Sequence, residues 1–484
     1  MPETAATTVT LSLVSHTNAG KTTLARTLLR RDIGDVRDEP HVTDISEAHP
    51  MITTAAGHVL QLWDTPGFGD SARLRNRLRQ RTGRNALGWF LGEVWDRWTN
   101  RPQWCSQQAL RNVHDEADLV LYLVNAAESP DAAGYLEPEL EILTWVGKPI
   151  VVLLNQTARQ PDAAAAETRA WRERLAAFPL VADLIPLDAF SRCWVQEDAL
   201  LARIAELVPA PKRPAARVLA AAWHERNRTT FDDAMNVLAR HLARTARDRA
   251  PLGEQPTLRR WLNPLLGRAD DQARLAGQAL VERLAADNRQ TLLDLLQLHG
   301  LEPGEARAVE DRLQAAFVEH RGLNETDSSI LAGLVSGALS GLTADFLAGG
   351  LTFGGGAVAG ALLGASGARL AAKGWNALRD KSGDGLRWPD ERLEAFARVA
   401  LLRYLAVAHH GRGRGRFDES TDAAAWTDAL DAAFTPRREE LQRALARAAA
   451  ESDELRDLLQ VITADTLARL YPDVPPPAPF SRHV

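Results

Sequence analysis

The first two hundred residues alternate short, continuously apolar runs with segments of helical length. The runs are VTLSLV (9–14), HVLQLW (58–63), LVLYLV (119–124), PIVVLLN (149–155) and LVADLIPL (180–187). A strand that is apolar without interruption is covered on both faces, so the pattern predicts a mostly parallel sheet with helices on either side. The stretch from Thr43 to Leu62 carries Ala55-Ala56-Gly57 at its middle and predicts a hairpin, which would put one antiparallel edge on that sheet. An α/β domain over residues 1–207 is the expected result.

At VPAPKRPAAR (208–217) three prolines stand among basic residues and interrupt the pattern, which predicts a linker. Beyond it the chain reads as helix as far as Tyr471, rich in Ala, Leu, Arg and Glu with apolar residues three and four apart. No strand signal of similar quality occurs there. The expected divisions are a helical region 218–327, a Gly/Ala-rich helical hairpin 328–372, a second helical region 373–471 and a proline-rich tail 472–484. The fold expected for the whole is an α/β phosphate-loop domain followed by a large all-α domain that contains a glycine-zipper hairpin.

Composition narrows the choice of partners. A chain of 484 residues supports about three domains. Its net charge of −6 excludes a protein wrapped all over in nucleic acid. Two cysteines, Cys105 and Cys193, are too few for a disulfide framework or a zinc cage and fit a reducing compartment. The start, MPETAATTVT, carries an acid where a secretory signal has a basic region and an apolar run, so the expected location is the cytoplasm.

Chemistry enters directly after the first apolar run. SHTNAGKTTL (15–24) matches the spacing GxxxxGK[ST] at every position but the first, where Ser15 replaces glycine. In such a loop successive backbone N–H groups, here from Asn18, Ala19, Gly20 and Thr23 among others, wrap a phosphate. Lys21 neutralises the β- and γ-oxygens and the Thr22 hydroxyl coordinates Mg²⁺. WDTPGFGD (63–70) closes a later strand; Asp64 would hold Mg²⁺ and the Gly67 N–H would meet a γ-phosphate. The loop RDEPHVTDIS (37–46) lies between the two motifs and offers Thr43 as ligand for both the metal and the γ-phosphate. Loops of this kind order around a triphosphate and relax after hydrolysis.

These residues, NAGKTTL, a lone threonine and DTPG in that order, resemble GTPases of the Era and tRNA-modification (TrmE) branch over residues 9–195. The chain as a whole resembles a bacterial group in which such a domain precedes a helical region of unknown role. The resemblance implies GTP as ligand, GDP and phosphate as products, Mg²⁺, and a potassium ion beside Asn18. Phe68 stands where Ras-like proteins have a water-positioning glutamine, which implies slow intrinsic hydrolysis. Such GTPases read guanine with Asn-Lys-x-Asp after the fifth strand, and this chain has Asn155-Gln156-Thr157-Ala158: the asparagine without the carboxylate. Asp188 and Ala189 occupy the place of the last base-contacting loop. Preference for guanine over adenine therefore comes from the resemblance and not from a visible acceptor for guanine's donors.

Two further segments carry unassigned signals. Residues 71–104 bring eight arginines (73, 75, 77, 79, 81, 84, 97 and 101) against Glu93 and Asp96, with Trp89, Trp95, Trp98 and Trp104 among them. Basic residues interleaved with tryptophan suit anionic lipid or RNA. For Trp89 and Trp95 the favoured reading is packing of an extra helix on the sheet. Residues 328–368 hold Asp345 as their one charge among Lys, Arg, Asp and Glu, with Gly333, Gly337, Gly341 and then Gly356, Gly360, Gly364 at four-residue intervals. Such stripes let helix backbones approach closely, and glycine costs an exposed helix about 1 kcal/mol, so both stripes are expected to be packed. Two helices of roughly 25–28 Å at ~1.5 Å per residue would match a bilayer's hydrocarbon. A hairpin inserted at the inner face of the cell membrane, self-association with a second copy, and a soluble hairpin packed within the helical domain all fit. An RNA- or ribosome-associated factor is the rival from another class, and a nucleotide-binding scaffold without turnover is the third.

Overall fold

A computed structural model describes residues 6–17, 19–30, 46–80, 86–92, 101–156, 161–187, 193–252, 271–318, 385–411, 420–448, 453–472 and 474. The chain divides into two units: residues 1–228 with 409–417, and residues 229–408 with 418–484.

In the first unit every apolar run becomes a strand: β1 Thr8–Ser15, β3 Val59–Asp64, β4 Leu119–Asn125, β5 Ile150–Asn155 and β6 Val181–Pro186, with β2 Glu47–Thr53 paired to β3. The sheet order is β2-β3-β1-β4-β5-β6. Only β2 with β3 is antiparallel; the remaining pairs are parallel, as in Leu11↔Leu62 and Leu11↔Leu119. The hairpin bend reverses at Gly57, whose φ of +79° is left-handed and whose N–H donates to Thr54 O at 2.9 Å.

The central strands show why no polar alternation was visible. On β4, Leu119, Leu121 and Leu123 enter one apolar core with Leu24, Leu28, Leu201 and Ile204, whereas Val120, Tyr122 and Val124 enter another with Leu74, Leu140 and Trp171. The first core is closed by α1 Lys21–Leu29, α7 Trp194–Leu207 and the start of α8 Arg213–Arg247. The second is closed by α2 Ser71–Gln80, α3 Ala86–Gly92, α4 Arg101–Asp115, α5 Leu136–Val146 and α6 Pro161–Leu175. The chain passes from β1 by way of β2 to β3 on one side of it and then crosses back to β4 on the other, so the strand order reverses at β1. The carboxyl ends of these strands consequently frame a crevice, where open α/β sheets bind ligands.

The proline-rich stretch 208–217 is not the seam between the units. Residues Ala210–Lys212 form a 3₁₀ turn, and α8 then runs without interruption from Arg213 to Arg247. Pro214 lies in the first turn of α8, where a missing N–H breaks no helical bond. Lys212 is tied to the sheet: its Nζ donates to Asp118 Oδ2 at 2.7 Å, and the same oxygen accepts from Thr10 N at 2.8 Å. The division falls inside α8, between Arg228 and Thr229.

The second unit is helical, with Asp271–Leu298, Ala306–Val318, Asp390–Ala408, Ser420–Phe434, Arg438–Arg447 and Asp453–Leu470 beside the remainder of α8. Helix 390–408 is buried on nearly all sides, as befits a central helix. Polar groups are buried with it. Arg403 Nη1 donates to Asn288 Oδ1 at 2.7 Å, and its Nε lies 3.5 Å from Glu310 Oε1, with both charged side chains almost wholly buried. One short ladder was not visible in the sequence: β7 Arg249–Pro251 pairs antiparallel with β8 Gly385–Arg387. Three-residue strands carry too few alternations to be read. The glycine-zipper segment 328–372 lies outside the described residues. Among the described residues no helix is long and apolar enough to cross a membrane.

Candidate functional site

At the carboxyl end of β1 the chain bends through Ser15–Gly20 and opens α1 at Lys21. Gly20 makes the bend possible in two ways. Its φ is +89°, and a Cβ there would stand 2.7 Å from Asn155 Nδ2. That amide reaches across from the end of β5 and donates to Ala19 O at 3.0 Å, so the asparagine kept from the base-reading motif braces the phosphate loop.

Lys21 lies along the loop, buried, with Nζ donating to Ser15 Oγ at 3.4 Å. Serine at the first motif position thus supplies a hydroxyl that the lysine can use. Thr22 Oγ1 donates to Asp64 Oδ2 at 2.9 Å, which joins the two motifs at the ends of β1 and β3. Thr23 is buried beside them. Burial pulls the Lys21 ammonium below its ordinary value, opposed by the charges of Asp64, Glu139 and Cys105. Burial likewise pushes the Asp64 carboxyl up, opposed first by Lys21 and then by the Thr22 hydroxyl. Asp64 Oδ1 is buried and makes no hydrogen bond. An acceptor left open in this position, next to a threonine hydroxyl, fits a divalent cation held by oxygen ligands.

The segment after Asp64 is fastened at three points: Thr65 Oγ1 donates to Leu13 O at 2.7 Å, Phe68 N to Ser15 O at 3.0 Å, and Gly69 N to Ser106 Oγ of α4 at 3.2 Å. Gly67 passes so close to the loop that a Cβ would meet Thr17 Cα at 3.2 Å. The Phe68 ring is wholly buried in the second core with Leu74 and Leu78. It follows Gly67 in sequence but turns into the core.

The arginines of the insertion are partly spoken for. Arg79 forms a two-pronged pair with Glu141 of α5 at 2.7 and 2.6 Å, and Arg75 lies 3.4 Å from Glu137. Gln107 of α4 donates to Phe90 O of α3 at 2.6 Å, which packs the insertion on the domain. Thr43, Asn18, Asp188, Ala189, Thr157, Ala158, Trp95, Trp98 and the side chain of Trp89 lie outside the described residues. Gln156, directly after Asn155, has φ +57°.

Sequence reasoning missed the polar cluster behind the loop. His16 Nδ1 lies 2.7 Å from Glu139 Oε1, and its ring stacks on Tyr135 with centroids 4.3 Å apart. Tyr122 OH donates to Glu139 Oε2 at 2.7 Å, and the Ser71 hydroxyl also bonds this carboxylate. The available signal was weak. Glu139 sits in LEPEL, where an acid in the first turn of a helix is common for its own sake.

The fold and this loop geometry define a phosphate-loop nucleotide-binding domain at the N-terminal side of the chain. The model of the 50S ribosome-binding GTPase family matches residues 10–156. A second family model, described as a domain of unknown function (DUF3482), matches residues 172–466, and the chain belongs to that family. Its match begins within α6, so β6 and α7 of the sheet fall inside it. Among solved structures, an Aquifex aeolicus Era variant bound to GDP·AlF4− is similar at 17% identity and a TM-score of 0.31. That match covers 42% of this chain and 57% of the other. Era in complex with MgGDPNP and nucleotides 1506–1542 of 16S ribosomal RNA is similar at 14% identity and a TM-score of 0.31, covering 58% of this chain and 89% of the other. No curated protein matches the chain.

Proposed function

We propose that this protein is a nucleotide-dependent switch that binds GTP at the Ser15–Thr23 loop and hydrolyses it slowly to GDP and phosphate. The carrying observation is the join between the two motifs: Lys21 against Ser15, and Thr22 against an Asp64 whose second oxygen is open. Lys21 would neutralise the β- and γ-oxygens. Thr22 and Asp64, with Thr43 as a third ligand, would hold Mg²⁺, which when bound supplies positive charge against the phosphates. Gly67 would offer its N–H to the γ-phosphate. Asn18, by resemblance, would admit potassium, and Asp188 and Ala189 would contact the base.

Slow turnover follows from Phe68. Its ring lies in the core, so the residue after Gly67 cannot orient water, and charge from potassium or a second protein would have to compensate. Calorimetric titration with GTP and ATP in the presence of Mg²⁺ tests the reading. Tight uptake of GTP that Lys21→Ala abolishes is expected, whereas binding of neither nucleotide overturns it. Phosphate release with and without potassium then separates an enzyme from a scaffold.

The helical unit is the effector on this reading, meeting anionic lipid or a second copy through 328–372 at the inner face of the membrane. Flotation with phosphatidylglycerol vesicles, with and without a non-hydrolysable GTP analogue, checks this; no lipid association in either state removes it. The ribosome-binding description of the matched GTPase family supports a second reading, association with ribosomal particles. Co-sedimentation at rising salt tests it, because phosphate contacts weaken steeply as salt increases.

A further inference from the structure

We propose that Glu139 is a positioning residue for nucleotide turnover: bonded to His16 of the phosphate loop and to Ser71 at the start of α2, it makes the loop and the segment after Asp64 respond as one body. The proposal rests on the GTPase reading above.

The side chain of Glu139 is wholly buried at the first turn of α5. A carboxylate in that setting is costly unless its oxygens are satisfied, and here both are: Oε1 by His16 at 2.7 Å and Oε2 by Tyr122 at 2.7 Å, with Ser71 as a further partner. Tyr122 anchors the carboxylate to β4 in the middle of the sheet. The other two partners belong to the parts of the site that must be aligned. His16 is the second residue of the phosphate loop and pairs as an isolated bridge with Phe68. Ser71 opens the helix into which the 65–70 segment leads.

The same helix holds α2 a second time, outside the core, since Glu137 and Glu141 pair with Arg75 and Arg79. One short helix therefore grips α2 at its start and along its length while touching the phosphate loop between. Burial pushes the Glu139 carboxyl up, and the hydrogen bonds to His16, Tyr122 and Ser71 that place the neighbours oppose that shift. Its charge also helps hold the buried Lys21 ammonium. Small misplacements of aligned groups are expensive in rate, of order 100-fold for about 1 Å, while leaving ground-state binding much less affected.

The test uses the full chain and separates turnover from uptake. Glu139→Gln keeps size and shape; it should lower kcat for GTP at least tenfold while the Kd for a fluorescent GDP stays within threefold of wild type. Ser71→Ala should act in the same direction, and adding it to Glu139→Gln should cost nothing further, the signature of one shared connection. His16→Phe preserves stacking on Tyr135 and removes the bond to Glu139, so its kcat should also fall; this variant carries the test if Glu139→Gln does not fold. An unchanged kcat in a folded Glu139→Gln, multiplying effects of Glu139→Gln and Ser71→Ala, or a wild-type kcat in His16→Phe overturns the proposal. Wild-type protein that holds no nucleotide at all overturns instead the GTPase reading beneath it.

Discussion

Both units bury charge, but they do so differently. In the helical unit Arg403 meets Glu310 and Asn288 inside the core, and His241 meets Asp287 at 2.6 Å. Each of these charges faces an opposite charge or an amide within the unit, although Glu310 Oε1 and Oε2 and Arg403 Nε and Nη2 make no hydrogen bond. In the sheet unit Lys21 and Asp64 are buried near the carboxyl ends of β1 and β3, and Asp64 Oδ1 is left without a hydrogen bond. The first arrangement pairs opposite charges between packed helices, and the second sets them beside the Ser15–Thr23 loop at the carboxyl ends of two parallel strands. An open acceptor therefore does not mark a site by itself; its place beside the Thr22 hydroxyl at the end of β3 does.

The comparison can be broken most forcefully in the helical unit. Arg403→Met leaves Glu310 buried and alone, and should cost about 3–5 kcal/mol in urea unfolding, while Arg403→Met with Glu310→Leu should recover most of the loss. If the double variant is no better than the single one, the two charges do not offset each other inside the core. Next comes Lys21→Ala in the sheet unit, which should weaken Mg·GTP at least about 100-fold in calorimetry, about 2.7 kcal/mol. Adding Mg·GTP at 100 times its Kd should supply a similar amount, about 2.7 kcal/mol, to the stability of the sheet unit. Hydrogen exchange should slow along β1, β3 and β5 and stay unchanged in helix 271–298; equal slowing in both units would erase the distinction.

The smallest effect concerns pH. Burial, only partly offset by Asp287, holds His241 below its ordinary value, so the folded protein takes up this proton less readily than the unfolded chain. The stability it lends is intact above about pH 6.5, the unfolded value, and is lost as pH falls toward the lowered one. Melting curves from pH 7.5 to 5.5 should show that decline in the helical unit, and His241→Asn should flatten it.

Much of the sheet unit was legible because its information is local. Five apolar runs became five strands within a residue or two, and the GKT and DTPG segments lie at the carboxyl ends of β1 and β3 as their mechanism requires. The helical character of the second half was legible in the same way. The Glu139 cluster was not: His16 and Glu139 are 123 positions apart, and nothing near either residue announces the other. Phe68 could be read as a missing glutamine, but only packing against Leu74 and Leu78 shows that its ring leaves the site. The prolines at 208–217 misled because proline disrupts a helix interior and is tolerated in a first turn, and composition alone cannot tell the two positions apart.

α8 carries a practical corollary. Its opening turns supply Leu219 and Trp223 to the core beneath α1 and α7, with Trp223 Nε1 donating to Glu197 at 3.1 Å. Arg30, which caps the end of α1, binds Glu197 and Asn227. A fragment of the sheet unit should therefore end beyond Arg228: one trimmed at Leu207 would bare an apolar seam, take Asn227 from Arg30, and be expected to aggregate.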